Sequence, residues 1–227
     1  MTRQMFDREL QKMQDRMLAL GSEVEENLLA SVRVLQERDH AGARRLIAGD
    51  EHINQEQMKI ETESLVLIAT QQPLASDLRF IASVISIATE LERINDYAKG
   101  IAKINLMIGD EPLLPPVVDL PPMAEKAANM LRRALQAFIQ KDIHLAYAIH
   151  EEDDQVDHLY NKVYKDLIAL ITADVEAMDQ ATHLLWAAHN LERTADRVSN
   201  ICERVVFTAT GEIIEMPEED EIPYPQE

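Results

Sequence analysis

The sequence VISIATELERINDYAKGI, from Val84 to Ile101, predicts one long amphipathic helix. Its apolar or small residues recur at alternating spacings of three and four positions, which places them along one side of a helix. They are Val84, Ile87, Leu91, Ile94, Ala98 and Ile101. The same spacing returns between Leu184 and Val205, and again between Met13 and Leu28. Such seams pack against antiparallel neighbours, so the chain is predicted to be all-α with long helices.

An internal repeat divides the chain into two similar halves. The motif LERIND at 91–96 returns 100 residues later as LERTAD at 191–196. A weaker match relates DEHIN at 50–54 to DDQVD at 153–157. Repeated motifs at a fixed order indicate repeated structural units. The sequence therefore predicts two tandem antiparallel three-helix bundles, with six long helices in all.

Prolines and glycines indicate where these units begin and end. We predict a first bundle over 1–110, a proline-rich linker over 111–122 and a second bundle over 123–212. Within the halves, turns are expected near 37–42, at Pro73, near 140–142 and between Asp174 and Val175. The acidic residues 213–227 are predicted to form an unfolded tail, because they contain few groups that a core would bury.

Charge and composition narrow the classes of partner. The 41 acidic and 22 basic residues give a formal net charge of −19, which opposes binding to nucleic acid. No stretch has the roughly 20 consecutive apolar residues that cross a bilayer, so membrane insertion is not expected. The single cysteine, Cys202, lies on an apolar seam and is predicted to be a buried, inert thiol. We expect a cytoplasmic protein, because nothing at the N-terminus is typical of a signal peptide.

Acidic residues four positions apart recur at equivalent places in the repeat. Like charges at this spacing share one helix face and repel each other. If the second and third helices of each half form a hairpin, Asp50 lies level with Asp96, and Asp153 lies level with Asp196. By the same geometry Asp157 lies level with Glu192. The predicted metal ligands are Asp50, Glu92, Asp96, Asp153, Asp157, Glu192 and Asp196.

Clusters of oxygen ligands suit cations such as magnesium, manganese or iron. Because these residues flank the apolar seam, any such ion would lie at the bundle surface. A second interpretation is that the acidic faces bind nothing and are solvated helix surfaces. The sequence shows no phosphate-binding glycine loop, nucleophile elbow or catalytic triad, and its only Glu-x-x-His motif, Glu37 to His40, has no second copy.

The segment ATQQPLASDLR at 69–79, followed by the two LERxxD copies, resembles the PhoU family of phosphate-transport accessory proteins. The resemblance covers the chain up to about Gly211. It implies a homodimer of tandem three-helix bundles whose acidic motifs hold multinuclear iron, or manganese, magnesium or zinc. At Asn54 the chain departs from the family pattern, because an amide replaces the second carboxylate of that motif.

The resemblance also implies a function without catalysis. It indicates a cytoplasmic adaptor between the ATPase subunit of a phosphate ABC transporter and a phosphate-sensing histidine kinase. Such a protein would keep the phosphate-starvation response off when phosphate is ample, would limit uptake and would reach the inner membrane only through its partners. The residues themselves leave two alternatives open: a metal-dependent phosphohydrolase and a purely structural helical dimer.

Overall fold

A computed structural model describes residues 3–216, and this part of the chain contains helices and no strands. The α-helices are α1 (Arg3–Glu37), α2 (His40–Gln71), α3 (Ala75–Ile108), α4 (Leu120–Gln140), α5 (Ile143–His150), α6 (Asp153–Ala173) and α7 (Met178–Thr210). Short 3₁₀ helices, Pro115–Asp119 and Val175–Ala177, precede α4 and α7. The predicted all-α fold with two three-helix halves is confirmed.

Local chemistry explains where the first-half helices begin and end. The carboxylate of Asp39 accepts a hydrogen bond from the Gly42 N–H at 2.8 Å and caps α2. Gln72 ends α2 in a left-handed conformation with φ 49°, and α3 begins at Ala75, just after Pro73. These turns lie where the sequence predicts them.

The second half differs from the first in one respect. Its second helix is divided at Glu151 and Glu152 into α5 and α6, whereas α2 is continuous. The break falls within the run EEDD at 151–154, and the backbones of Glu151 and Glu152 stay close to the right-handed helical region. Carboxylates are favourable in the first turn of a new helix, and Arg133 binds Glu152 at 2.6 Å. As a result Asp153 becomes the first residue of α6.

The two halves share one continuous hydrophobic core. Helices α3 and α7 pack antiparallel, because Ser83 hydrogen-bonds Thr208 while Glu90, further along α3, hydrogen-bonds Asn200, earlier in α7. All residues of the seam from Val84 to Ile101 are buried. Cys202 on the matching seam is also buried, as predicted, and burial raises the pKa of its thiol to about 12.

The chain turns back after α7. Gly211 caps the helix with φ 86°, a conformation that favours glycine. Residues 212–216, which we call the strap, then run back along α7 until the Met216 N–H binds Glu203 Oε1 at 3.0 Å. Met216 is buried in the core. The rest of the predicted unfolded tail, 217–227, lies outside the described residues.

The proline-rich segment between the halves contains helical turns. Helix α4 begins at Leu120, and prolines stand in its first turn, where they cost no helical hydrogen bond. The predicted linker is therefore partly helical.

Among the described residues, no helix combines the length and apolar character needed to cross a membrane.

Substitution of Gly21 tests the close packing of α1 against α4. A Cβ at Gly21 would lie 2.3 Å from Cδ1 of the buried Leu135, whereas a Cβ at Gly49 would meet nothing within 4 Å. Gly21→Val should lower the free energy of unfolding by about 1–3 kcal/mol through overpacking. The control Gly49→Ala should raise it by about 0.5–1 kcal/mol through helix propensity. Urea unfolding measures both, and equal stability of Gly21→Val and the parent chain would contradict the packing.

Candidate cation-binding site

In the first half, the carboxylate of Asp50 on α2 is buried at 4% exposure and is bound by its neighbours. The Lys99 ammonium on α3 lies 2.5 Å from Asp50 Oδ2 and 3.3 Å from Asp96 Oδ1. Asn95 donates to Asp50 Oδ1 at 2.9 Å, and Asn54 donates to Oδ2 at 3.4 Å. Both oxygens of Asp50 are therefore satisfied by protein groups.

The network around Asp50 continues to α1. Asn27 donates to Asn95 Oδ1 at 2.9 Å, so one asparagine joins three helices. The hydrogen bond to Asp50 is the largest influence that raises the pKa of Lys99. Burial, followed by the charge of Asp96, raises the pKa of Glu92.

These contacts do not fit the predicted metal site in the first half. The prediction placed a metal ion among Asp50, Glu92 and Asp96, but the charge that neutralises Asp50 is the ammonium of Lys99. A carboxylate has about four acceptor positions, and at Asp50 the Lys99 ammonium and two amide donors take three of them, which leaves little for a metal. The sequence interpretation recognised the change to Asn54 and overlooked Lys99.

In the second half, the same positions carry four carboxylates and no lysine. Asp153 and Asp157 lie on α6, and Glu192 and Asp196 lie on α7. Position 199, equivalent to 99 in the repeat, is a serine whose hydroxyl donates to Asp153 Oδ2 at 3.2 Å.

The four carboxylates lie close enough to repel one another. Burial, then the charges of Asp196 and Asp157, raises the pKa of Asp153 to about 7. Burial, then the same two charges, raises the pKa of Glu192 to about 7. The hairpin therefore brings acidic residues from α6 and α7 together, as the spacing predicts.

Positively charged or polar groups at the margin offset part of this repulsion. Arg193 Nη1 lies 2.7 Å from Asp196 Oδ2, and His189 Nδ1 lies 3.2 Å from Glu192 Oε2. Asp153 Oδ1 is shielded from solvent and has no hydrogen-bond partner. A buried carboxylate oxygen without a partner is costly, because it has lost water and gained nothing in return.

The second-half donors suit a hard divalent cation in chemistry but are not assembled around one. Within residues 3–216, no group of three or more His, Cys, Asp and Glu side chains is placed so that it could hold a metal ion. Mutual repulsion accounts for this, since like charges without a cation keep apart. The all-oxygen donor set and the unpartnered Asp153 Oδ1 fit a cation that would draw them together.

A groove of about 570 Å³ opens beside this cluster. Asp153, Asp196 and Ser199 line one side, and the strap residues Ile213 to Met216 line the other. The cluster is therefore reachable from solvent along the strap.

Tyr97 joins the two halves next to the clusters. It follows Asp96 on α3, and its hydroxyl accepts a hydrogen bond from Arg197 Nε at 3.3 Å. It also hydrogen-bonds Arg193, the partner of Asp196. The sequence interpretation missed the roles of Tyr97 and Arg193. Comparison of the repeat copies could have revealed the change from Lys99 to Ser199.

Known proteins resemble the chain across both halves. A family model described as the PhoU domain matches residues 17–104 and 120–205. The chain is 32% identical to the phosphate-specific transport system accessory protein PhoU homolog of Clostridium acetobutylicum, over 95% of this chain and 99% of that protein. A homolog of the same description from Streptococcus pneumoniae is 36% identical over 94% of this chain and 99% of its own length.

Solved structures show the same fold. The crystal structure of the phosphate transport system regulatory protein PhoU from Streptococcus pneumoniae superposes with a TM-score of 0.87 at 34% identity, covering 93% of this chain and all of that one. The crystal structure of PhoU from Pseudomonas aeruginosa gives a TM-score of 0.86 at 31% identity, covering 91% of this chain and all of that one.

Removing one charge from the second-half cluster should stabilise the metal-free protein. Because the pKa of Asp153 is about 7 in the fold and roughly 3.9 unfolded, its ionisation opposes folding fully above about pH 7 and not at all below about pH 4. Asp153→Asn should therefore raise the free energy of unfolding at pH 8 by about 1 kcal/mol. The gain should vanish at pH 4.

Urea unfolding of chelator-treated protein measures this difference. The control Asp166→Asn changes an exposed acid on the same helix and should alter stability by less than about 0.5 kcal/mol. A loss of stability in Asp153→Asn at pH 8 would contradict the predicted repulsion.

Proposed function

The chain belongs to the PhoU family, and from this premise we propose that it is a non-catalytic adaptor that represses the phosphate-starvation response when phosphate is ample. Its relatives are phosphate transport accessory proteins, and the likeness spans both halves, so a role in regulating phosphate transport follows. That full-length likeness is the observation that carries the proposal.

The proposed partners are the ATPase subunit of a phosphate ABC transporter and a phosphate-sensing histidine kinase. The protein would work in the cytoplasm, as a homodimer, and would reach the inner membrane through these partners. An adaptor needs separate surfaces for separate partners. The shape of the described bundle supports this requirement.

Apolar side chains are exposed at opposite ends of the bundle. Leu74, at the turn between α2 and α3, is 80% exposed, and Val175, before α7, is 69% exposed. Because α3 and α7 are antiparallel, the first turn lies near the end of α7 and the second near the end of α3. A helix of about 30 residues is about 45 Å long, so two partners would not collide.

We also propose that the second half binds a divalent cation or a small iron cluster through Asp153, Asp157, Glu192 and Asp196. When bound, the metal would neutralise these carboxylates and cross-link α6 to α7. Asp153 would supply its unpartnered oxygen. Arg193 competes for Asp196, so its guanidinium would have to yield part of that contact.

Deletion of the gene tests the regulatory role. Phosphate-starvation genes should be expressed in phosphate-rich medium, because the proposed repressor is absent, and a reporter fusion measures their transcription. Restoring the gene should restore repression. Normal repression in the deletion strain would contradict the proposal.

Variants at the two ends test the adaptor geometry. In pull-downs from phosphate-replete cells, Leu74→Glu and Val175→Glu should each lose one partner and keep the other, since a charge is costly in an apolar contact. Met58→Glu, at an exposed apolar residue near the middle of α2, is the control. Loss of both partners from a folded single variant would contradict separate docking ends.

Metal titration tests the cation site. In chelator-treated protein, Glu192→Gln should weaken Mn²⁺ binding at least about tenfold, because a charged ligand is lost. The equivalent first-half variant Glu92→Gln should bind as the parent does. Equal weakening by both variants, or no binding by the parent chain, would contradict the assignment. Phosphate-ester hydrolysis by the Mn²⁺-loaded protein would favour the phosphohydrolase alternative.

A further inference from the structure

The repeat places different residues at its positions 99 and 199 while most of the surrounding acids are retained. Asp50, Glu92 and Asp96 in the first half correspond to three acids in the second, which are Asp153, Glu192 and Asp196. The first half thus has three carboxylates with one ammonium. The second half adds Asp157 and has no lysine, so it has four carboxylates and a hydroxyl.

The Lys99 ammonium lies among the same acids that the hairpin gathers for a metal. It contacts Asp50 of α2 at 2.5 Å and Asp96 of α3 at 3.3 Å, so it bridges the two helices. Its side chain is 25% exposed, which means that solvent screens it only in part. A cation bound to carboxylates from two helices performs the cross-linking that a metal ion would perform.

The rest of the first-half network is arranged for this ammonium and not for a metal. Asn95 and Asn54 direct amide N–H groups at Asp50, and Asn27 holds Asn95 in that orientation by donating to its side-chain oxygen. The equivalent second-half residues are Ala195 and Asp157, which supply no such donors. Asn54 Oδ1 has no hydrogen-bond partner, so the unsatisfied oxygen of the first-half network belongs to an amide and not to the carboxylate of Asp50.

We propose that Lys99 is a built-in cation that takes the place of a metal ion and closes the first-half cluster to metals. Only the second half then exchanges cations with the solution. The role of Lys99 concerns the first half alone, whereas the exchange of cations rests on the second-half site proposed above. With both, the duplicated protein responds to cations at a single site, and Lys99 keeps the helices of the other half linked.

Exchange of residues between the halves tests the proposal. The double variant Lys99→Ser and Asn54→Asp gives the first half the second-half residues at these two positions and keeps Asn95 as a donor to Asp50. After chelation it should melt about 5–10 °C below the parent chain, since Asp50 loses its cation. Mn²⁺ should restore the melting temperature, and titration should show one more bound Mn²⁺ per chain than the parent.

The reciprocal variant Ser199→Lys gives the second half its own ammonium. It should melt above the parent chain after chelation and should lose the Mn²⁺ response of the parent. This variant keeps the proposal testable if the double variant does not fold. Lys103→Ser, at an exposed lysine one turn later on α3, is the control and should change neither property.

Two results would overturn the proposal. The first is that the double variant has the same melting temperature as the Lys103→Ser control after chelation. The second is that the double variant has a lower melting temperature, binds no additional Mn²⁺ and is not stabilised by Mn²⁺. A parent chain that binds no Mn²⁺ beside a double variant that binds one would support Lys99 as the built-in cation. That same result would refute the proposed second-half site, so the two failures are distinguishable.

Discussion

The antiparallel packing of α3 against α7 is the constraint on which the other features depend. Their apolar seams are buried against each other, and this fixes the position of each flanking residue along the bundle axis. Glu92 follows Leu91 and Glu192 follows Leu191, so the acids lie at the margin of the core and are partly withdrawn from water. At such a margin a carboxylate needs a cation, a donor or a proton.

The two halves meet this need in different ways. In the first, a lysine and two asparagines satisfy Asp50 within the protein. In the second, repulsion remains, shown by the raised pKa of both Asp153 and Glu192. Repulsion is weaker in the first half, where Asp96 still raises the pKa of Glu92 but Lys99 neutralises Asp50. We therefore expect the stability of the second half to depend on pH and on added cations. In the first half Lys99 already links α2 to α3.

Much of this could be predicted from local patterns, and the rest depended on side-chain reach. The seam from Val84, the repeated LERxxD motif and the hairpin about Pro73 predicted the fold and the approach of Asp153 to Asp196. They could not show that Lys99 turns inward, because its four-carbon side chain can also extend into water. The division between α5 and α6 was missed as well, because no proline or glycine marks it in the sequence.

The strap affects the candidate site although it contains none of the predicted ligands. The chain leaves α7 at Gly211, runs back beside the groove and is anchored where the Met216 N–H binds Glu203. Residues 213–216 line the same groove as Asp153. Residues 213–216, which come after the last predicted ligand, Asp196, in the sequence, therefore form a wall of the candidate site. Removal of the strap would open the groove further to solvent while every acidic side chain of the site stays the same.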